Sequence, residues 1–348
     1  YYGHEQLIEK LAELEPHDIS VALRDRYVAT TSAALPHGCI VTDRASLAAA
    51  VAAGRRIAGW TGQADLSRAL QDTLAADVAA SASGRLHDRM PKLSARHRLT
   101  VPQSLFGLVA FAGLAACIWA EPRRTFSLIA VCGCVLFLAV AAMRAASLVL
   151  PAGDDETPPP LTDDALPVYT VMVALFREVE VVDQLVNALS ALDYPPDKLD
   201  IKLVLEQEDI TTRRYLAAKS LPSHFEVLVV PHNKPQTKPK ALNHALAFAR
   251  GDIVAVYDAE DIPDRDQLRI AAAAFAAGPH SLACLQARLA FYNPEENWFT
   301  RQFSIEYAAL FDLLLPMLAN NGLPLPLGGT SNHFRISVLR KVGAWDPH

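Results

Sequence analysis

The chain has 348 residues, of which 51% are apolar and 20% charged, with a formal net charge of −6. Its mean hydropathy of +0.15 is high for a soluble protein and low for a multispan transporter, so a short membrane part joined to soluble parts is expected. The acidic balance excludes an overall basic surface for nucleic acid.

Residues 1–100 read as a small, mostly helical soluble domain. Leu7, Leu11 and Leu14 share one helical face, and residues 45–53 and 64–80 carry an Ala/Leu periodicity, with Asp43 and Asp65 near plausible helix starts. His4, His17 and His37 are scattered and form no catalytic cluster. Residues 101–120 and 125–143 are free of charge, and each run is long enough to cross a hydrocarbon core of ~30 Å. A pair of buried soluble helices is the bland alternative, but soluble helices seldom stay uncharged for so long twice in succession. Glu121-Pro122-Arg123-Arg124 leaves room only for a tight turn, so residues 101–150 are read as a transmembrane hairpin. Arg85, Arg89, Lys92, Arg96 and Arg98 precede it and Arg144 follows it, against Arg123 and Arg124 in the turn. That bias puts both soluble flanks in the cytoplasm. The five cysteines, Cys39, Cys117, Cys132, Cys134 and Cys284, show no zinc or disulfide-framework spacing. Cys132 and Cys134 have no His, Asp or Glu beside them and read as small hydrophobes.

Residues 151–166 form a linker with the run Pro158-Pro159-Pro160, which favours polyproline II. From residue 167 the pattern alternates. Strands are expected at 168–176, 201–205, 225–230 and 253–257, an amphipathic helix through Val182, Leu185, Val186, Leu189 and Leu192, and another helix at 241–249. This order predicts an α/β fold, a mainly parallel sheet with helices on both faces. Ligands of such sheets bind beyond the carboxyl ends of the strands. Strand 201–205 runs into Glu206-Gln207-Glu208-Asp209, and strand 253–257 into Asp258-Ala259-Glu260-Asp261. Between them Thr237-Lys238-Pro239-Lys240-Ala241-Leu242-Asn243 opens a helix. Two carboxylates one residue apart can hold a hard divalent cation whose other positions go to diphosphate oxygens and water. A Lys at a helix start adds positive charge where a diphosphate would lie. A lone Asp-x-Glu is more often a solvated turn, and the weight lies in three such features at successive strand ends.

Here the chain resembles the family-2 glycosyltransferases, the group that includes bacterial cellulose synthase. Leu166-Pro167-Val168-Tyr169-Thr170-Val171 and Ala174-Leu175-Phe176-Arg177-Glu178 look like the opening strand and its turn, and Leu192-Asp193-Tyr194-Pro195 like a "l-dYP" segment. Lys238 with Ala241-Leu242-Asn243 is similar to the "K-x-x-A-L-N" helix start, and Asp258-Ala259-Glu260-Asp261 to the "D-A-D" metal motif. Gly328-Gly329-Thr330-Ser331-Asn332 and Gly343-Ala344-Trp345-Asp346 resemble the landmarks near the acceptor site. The resemblance covers residues 166–348 and makes 167–348 a catalytic domain of the GT-A type. It implies nucleotide-sugar contacts from Glu206, Lys238, Asn243 and Asp258, a Mg2+ or Mn2+ site at Asp258 and Glu260, and an acceptor side at Thr330, Ser331, Asn332 and His333. Glu stands where the family has Asp at 206 and 260, lengthening each arm by one methylene.

The function so implied is inverting, metal-assisted transfer of a sugar from a nucleotide-diphospho-sugar, a UDP-sugar, to a glycan or lipid acceptor at the cytoplasmic face of a bacterial inner membrane. Two alternatives stay open: a non-catalytic nucleotide-sugar-binding membrane partner, and a metal-dependent nucleotidyltransferase. The family's base lies in a "T-E-D" motif after the Gly-x-Trp-Asp landmark and is expected beyond His348; both ends of the chain read as cut. Within it, Glu306, Asp312 and Asp346 are poor substitutes. Residues 297–320 hold Phe299, Phe303, Tyr307, Leu310, Phe311 and Leu314 at helical spacing, which fits either a helix on the membrane surface or one packed in a core. Met90-Pro91-Lys92-Leu93-Ser94-Ala95-Arg96 resembles the lead-in to the hairpin of relatives whose front domain is like the N-terminal region of type II secretion ATPases.

Overall fold

A computed structural model describes residues 7, 11, 19, 22–23, 27–30, 38–42, 44–96, 99–150 and 158–348. His4, Leu14, His17, His37, Asp43, Arg98 and residues 151–157 of the linker lie outside the described residues. In chain order the elements are β1 (Tyr27–Thr30), β2 (Gly38–Val41), α1 (Arg44–Ala52), β3 (Arg56–Trp60), α2 (Gln63–Arg89), α3 (Val101–Ala120) and α4 (Pro122–Ala146). There follow β4 (Tyr169–Leu175), α5 (Val182–Ser190), β5 (Leu199–Glu206), α6 (Ile210–Ala217), β6 (Phe225–Val230), α7 (Lys238–Ala247), β7 (Ile253–Tyr257) and α8 (Gln267–Ala277). The last are β8 (Cys284–Gln286), the long helix α9 (Trp298–Asn320), β9 (Asn332–Arg335) and α10 (Ile336–Lys341).

The chain divides into two compact units. One holds residues 1–94, 157–287 and 328–348, the other 95–156 and 288–327. In the first, six strands pair in the order β6-β5-β4-β7-β9-β8. The first four are parallel, and β9 runs antiparallel to both β7 and β8. Both faces are covered, which is why β4 and β5 are buried almost without interruption instead of alternating. With side chains alternating along a strand, Val171, Val173 and Leu175 meet α5 and α8 through Leu185, Leu189, Leu268 and Phe275. Met172 and Val204 point to the other face, against Leu242, Ala245 and Leu246 of α7 and Leu66, Leu70, Leu74 and Val78 of α2. The amino-terminal helix therefore shares one hydrophobic cluster with the sheet. Three short strands, paired β1-β2-β3, add to the helices expected in this region.

A buried charge chain ties the sheet to α2. Lys202 lies 2.9 Å from Asp200 and also pairs with Glu226, which accepts from Ser67 and Gln71 of α2. Asp200 is held in turn by Arg250 (3.1 Å) and by the Thr170 hydroxyl (2.9 Å), which accepts the Gly251 N–H. A Cβ at Gly251 would sit 2.6 Å from the Thr170 nitrogen, so only glycine fits this close approach.

Two buried histidines face this core. Burial lowers the pKa of His333 to about 4. Burial, with Lys240 adding to it, does the same for His244. Both imidazoles are therefore neutral when folded and must charge on unfolding in acid. Their contribution to stability is complete above their ordinary value of 6.5 and is lost as pH falls from there through about 4. The thermal midpoint is expected to be flat above pH ~7 and to fall across that window; a midpoint unchanged down to pH ~4 would contradict this burial.

In the second unit, α3 starts at a capping box between Thr100 and Gln103, and α4 begins at Pro122, directly after Glu121. The turn is thus tighter than the four residues read from sequence, because Pro needs no N–H partner in a first helical turn. The helices have 20 and 25 residues with no buried side chain, and Phe106, Phe111, Trp119 and Phe137 are largely exposed. An apolar surface of this kind is far more than water tolerates on a monomer. At 1.5 Å per residue each helix spans at least ~30 Å. In α9, Trp298, Phe299 and Ile305 are exposed while Leu315, Met317 and Leu318 are buried. Core packing thus accounts for the carboxyl-terminal part of the helix, and the amino-terminal part leaves its apolar side chains uncovered. Residues Ala309–Leu314 are π-helical just before Pro316, which has no N–H to return to the preceding turn.

Candidate functional site

A cavity of about 440 Å³ opens at the carboxyl edge of the parallel sheet. Its walls come from the ends of β4 (Ala174, Leu175, Phe176), β5 (Val204, Glu206) and the turn after β7 (Asp258, Ala259, Glu260), together with Gln236, Thr237 and Lys238 at the start of α7. Four of the residues expected from sequence, Glu206, Lys238, Asp258 and Glu260, are thus brought together on one cavity. The α7 start is fixed by Thr237, whose hydroxyl accepts the Lys240 N–H, and by Pro239 in the first turn.

Glu206 is paired with Lys240, whose Nζ lies 2.9 Å from Oε1 and 3.0 Å from Oε2. Lys240 has no exposed surface, so this ammonium belongs to the wall and not to the solvent. Lys238 ion-pairs with Asp258 and reaches the Gly329 carbonyl at 3.2 Å. The Asp258 N–H donates to Asp261 Oδ2 (2.7 Å) and to Thr330 Oγ1 (3.0 Å), and the Thr330 hydroxyl donates to Asp261. Asp261 is thereby turned into the protein, while Asp258 and Glu260 keep carboxylates on the cavity. No three His, Cys, Asp or Glu side chains among the described residues are arranged to hold an ion by themselves. Asp258 and Glu260 nonetheless offer two hard oxygen donors, which suits a divalent cation completed by diphosphate oxygens and water.

The other expected residues lie behind the wall. Asn243 clamps the backbone of Trp345, donating to its carbonyl (2.7 Å) and accepting its N–H (3.0 Å), and also donates to Ala82 O (3.2 Å). It is absent from the cavity lining. Thr330 pins the Asp258 turn, Ser331 sits at φ 53° with its N–H on Val256 O (2.7 Å), and Asn332 donates to Gly328 O (2.6 Å). His333 is buried with Nδ1 2.6 Å from the Tyr169 hydroxyl. These residues hold the strand β9 beside the site. Gly343, at φ 91°, lies under Leu86 of α2, where a Cβ would come within 2.7 Å of Leu86 Cδ1. Glu306 pairs with Arg144 (3.4 Å), Asp312 with Arg288 (2.8 Å), and Asp346 accepts from Ser94 (3.2 Å).

Sequence reasoning passed over Asp209. It accepts the N–H of Arg177 (2.6 Å), which sits at φ 60° in the turn after β4, and the N–H of Thr212 (3.1 Å) as cap of α6. Burial acts most strongly on its carboxyl and raises its pKa, but the hydrogen bonds from Arg177 and Thr212 and the charge of Arg177 together outweigh it and hold the pKa below the ordinary value. Its helix-capping position, four residues before Arg213, was the available signal.

The family described as "Glycosyltransferase like family 2" matches residues 167–348, more than half of the chain. The chain belongs to this family. Beta-monoglucosyldiacylglycerol synthase of Synechocystis sp. is 30% identical over 205 residues, 57% of this chain and 42% of that protein. Glucomannan 4-beta-mannosyltransferase 1 of Oryza sativa subsp. japonica is 25% identical over 56% of this chain and 38% of its own length. The matches thus span less than half of these curated relatives. Among solved structures, the mannosyltransferase PcManGT from Pyrobaculum calidifontis, in complex with GDP-Man and Mn2+, is similar at a TM-score of 0.41 and 22% identity, over 60% of this chain and 54% of that one. The expected α/β class stands, with a mainly parallel sheet and helices on both faces.

Proposed function

We propose that this family-2 protein transfers a sugar from a nucleotide-diphospho-sugar, a UDP-sugar, to a glycan or lipid acceptor, from the cytoplasmic side of a membrane crossed by α3 and α4. The observation that carries this reading is the convergence of Glu206, Lys238, Asp258 and Glu260 on one cavity at the carboxyl edge of the sheet. Glu206, held by Lys240, stands deep in the cavity wall and is assigned to the nucleoside. Lys238 at the start of α7 adds its charge to a helix N-terminus and is assigned to the diphosphate. Mg2+ or Mn2+ held by Asp258 and Glu260 would take up negative charge developing on the leaving diphosphate. In the reaction the acceptor oxygen bonds to the anomeric carbon as the sugar–phosphate oxygen bond breaks on the opposite face, so the configuration inverts. The acceptor proton leaves to a base, and that role is assigned to none of the described residues. The curated relatives named above include a protein whose name specifies a lipid product and one whose name specifies a glycan, which supports an acceptor of one of these classes.

The apolar surfaces of α3 and α4 and the basic bias of their flanks support the membrane part of the proposal. Sealed vesicles test donor, reaction and orientation together. Inverted vesicles carrying the protein together with the segment expected to supply the base are given a panel of labelled UDP-sugars and Mn2+. Free UDP and labelled glycan or glycolipid are expected, and right-side-out vesicles should yield neither until permeabilised. A nucleotide-linked product, or no product from any donor, would overturn the transfer reading; equal product from both orientations would overturn the topology.

A further inference from the structure

The donor cavity has a layer behind it that comes from the amino-terminal helix. Asn233 lies in the loop between β6 and α7. Its side-chain amide donates to the Ser83 hydroxyl (2.9 Å) and to Ala79 O (3.3 Å) of α2. Its own carbonyl accepts from Lys240 Nζ (2.9 Å), the same ammonium that donates to Glu206 Oε2 (3.0 Å) and lies 2.9 Å from Oε1. A continuous series of polar contacts thus runs from α2 through Asn233 and Lys240 to Glu206 on the cavity. Lys240 is fully buried, so no water is at hand to replace a lost acceptor, and a shift of the Asn233 carbonyl is passed to the Glu206 carboxylate.

We propose that Asn233 is a positioning residue of the donor site, and that α2 sets donor affinity through it. The proposal rests on the donor reading of the cavity. Asn233 touches no substrate; it fixes where Lys240, and therefore Glu206, stands. Because the amide and the carbonyl belong to one residue, the anchor to α2 and the acceptor for Lys240 cannot move independently. Ser83 offers the cleanest probe. It lies on α2, away from the cavity, and its hydroxyl also returns to Ala79 O (2.9 Å), a bond internal to the helix.

The test uses the full chain in detergent, with UDP and Mn2+ as the probe, by calorimetric titration. Ser83→Ala and Asn233→Ala should each raise the dissociation constant of UDP about 3- to 10-fold, the loss expected when a part-buried hydrogen-bonded link is cut. Ser83→Thr, which keeps the hydroxyl, should restore wild-type affinity. In turnover the effect should fall on the donor KM and leave kcat unchanged. The double variant should bind no more weakly than Asn233→Ala, because both changes break the same link. A thermal midpoint measured on each variant separates this from general loosening: a Ser83→Thr protein as weak as Ser83→Ala overturns the proposal. So does wild-type affinity in both alanine variants. Wild-type protein that binds no UDP with Mn2+ removes the donor reading first and this proposal with it.

Discussion

Asp258→Ala is expected to abolish most sugar transfer, by about 10²- to 10⁴-fold in kcat/KM, with the fold intact. The expected loss follows from losing several kcal/mol of charge stabilisation at about 1.4 kcal/mol per tenfold. Asp258 is one of two carboxylates that the β7 turn leaves on the cavity, since Asp261 is turned onto the Asp258 N–H and Thr330. Its side chain is also the partner of Lys238. The substitution therefore removes the carboxylate proposed to hold the metal and leaves Lys238 without its partner. The turn itself should survive, because it is held by the Asp258 backbone N–H, which alanine keeps. The measurement compares UDP binding with and without Mn2+, and transfer by each protein. Manganese-dependent binding equal to wild type would remove the metal assignment from Asp258 and Glu260. Asp261→Ala should instead lower the thermal midpoint, since it unties the turn.

Lys202→Met should cost about 3 kcal/mol of stability, toward the lower end of what breaking a buried ion pair costs. Lys202 is 1% exposed and stands between Asp200 and Glu226. Burial is the strongest influence on its ammonium and lowers its pKa, but the two carboxylates outweigh it and leave the pKa raised. Asp200 is the mirror case: burial raises its pKa, and Lys202 and Arg250 outweigh that and lower it. Removing the lysine leaves Asp200 buried with Arg250 and Thr170, and Glu226 with Ser67 and Gln71. Those remaining partners are why the cost stays near the low end. Denaturant unfolding of the purified protein reads the change. A midpoint equal to wild type would mean that the charge chain between the sheet and α2 adds nothing net, as some buried pairs do.

The sheet and the hairpin were legible because their signals are local. Strands 225–230 and 253–257 were read with the boundaries observed, since β-branched runs between turn residues leave little choice. The uncharged runs of α3 and α4 needed only counting. The strands β1, β2 and β3 were not legible: they have four or five residues each, and what makes them strands is their pairing, which periodicity does not record. Helix α2 runs on to Arg89 through Ser81, Ser83 and Gly84, weaker helix formers sustained by packing on α7. At the site, chain order told which residues come near the cavity but not which way they turn. Asn243, Thr330 and His333 all lie beside it, yet each side chain meets backbone or a buried neighbour. Glu206, Lys238, Asp258 and Glu260 were legible because a strand end or a helix start aims its first residues outward. Asp209 was missed because its partner, the N–H of Arg177, lies 32 residues earlier.

The tie between Asp258 and Thr330 also carries a consequence for biosynthesis. The two residues are 72 positions apart, and α9, a helix long and apolar enough to cross a membrane, lies between them in the sequence. At ribosomal speeds of 5–20 residues per second, about 4–14 s pass between the synthesis of one and the other. Throughout that interval the parallel strands can pair, but the acidic turn lacks the strand that closes it. The acidic turn on the cavity is therefore tied down only after the whole of α9 has been made. A nascent chain that has reached only the middle of α9 would hold its four parallel strands without the Thr330 contact that fixes the Asp258 turn.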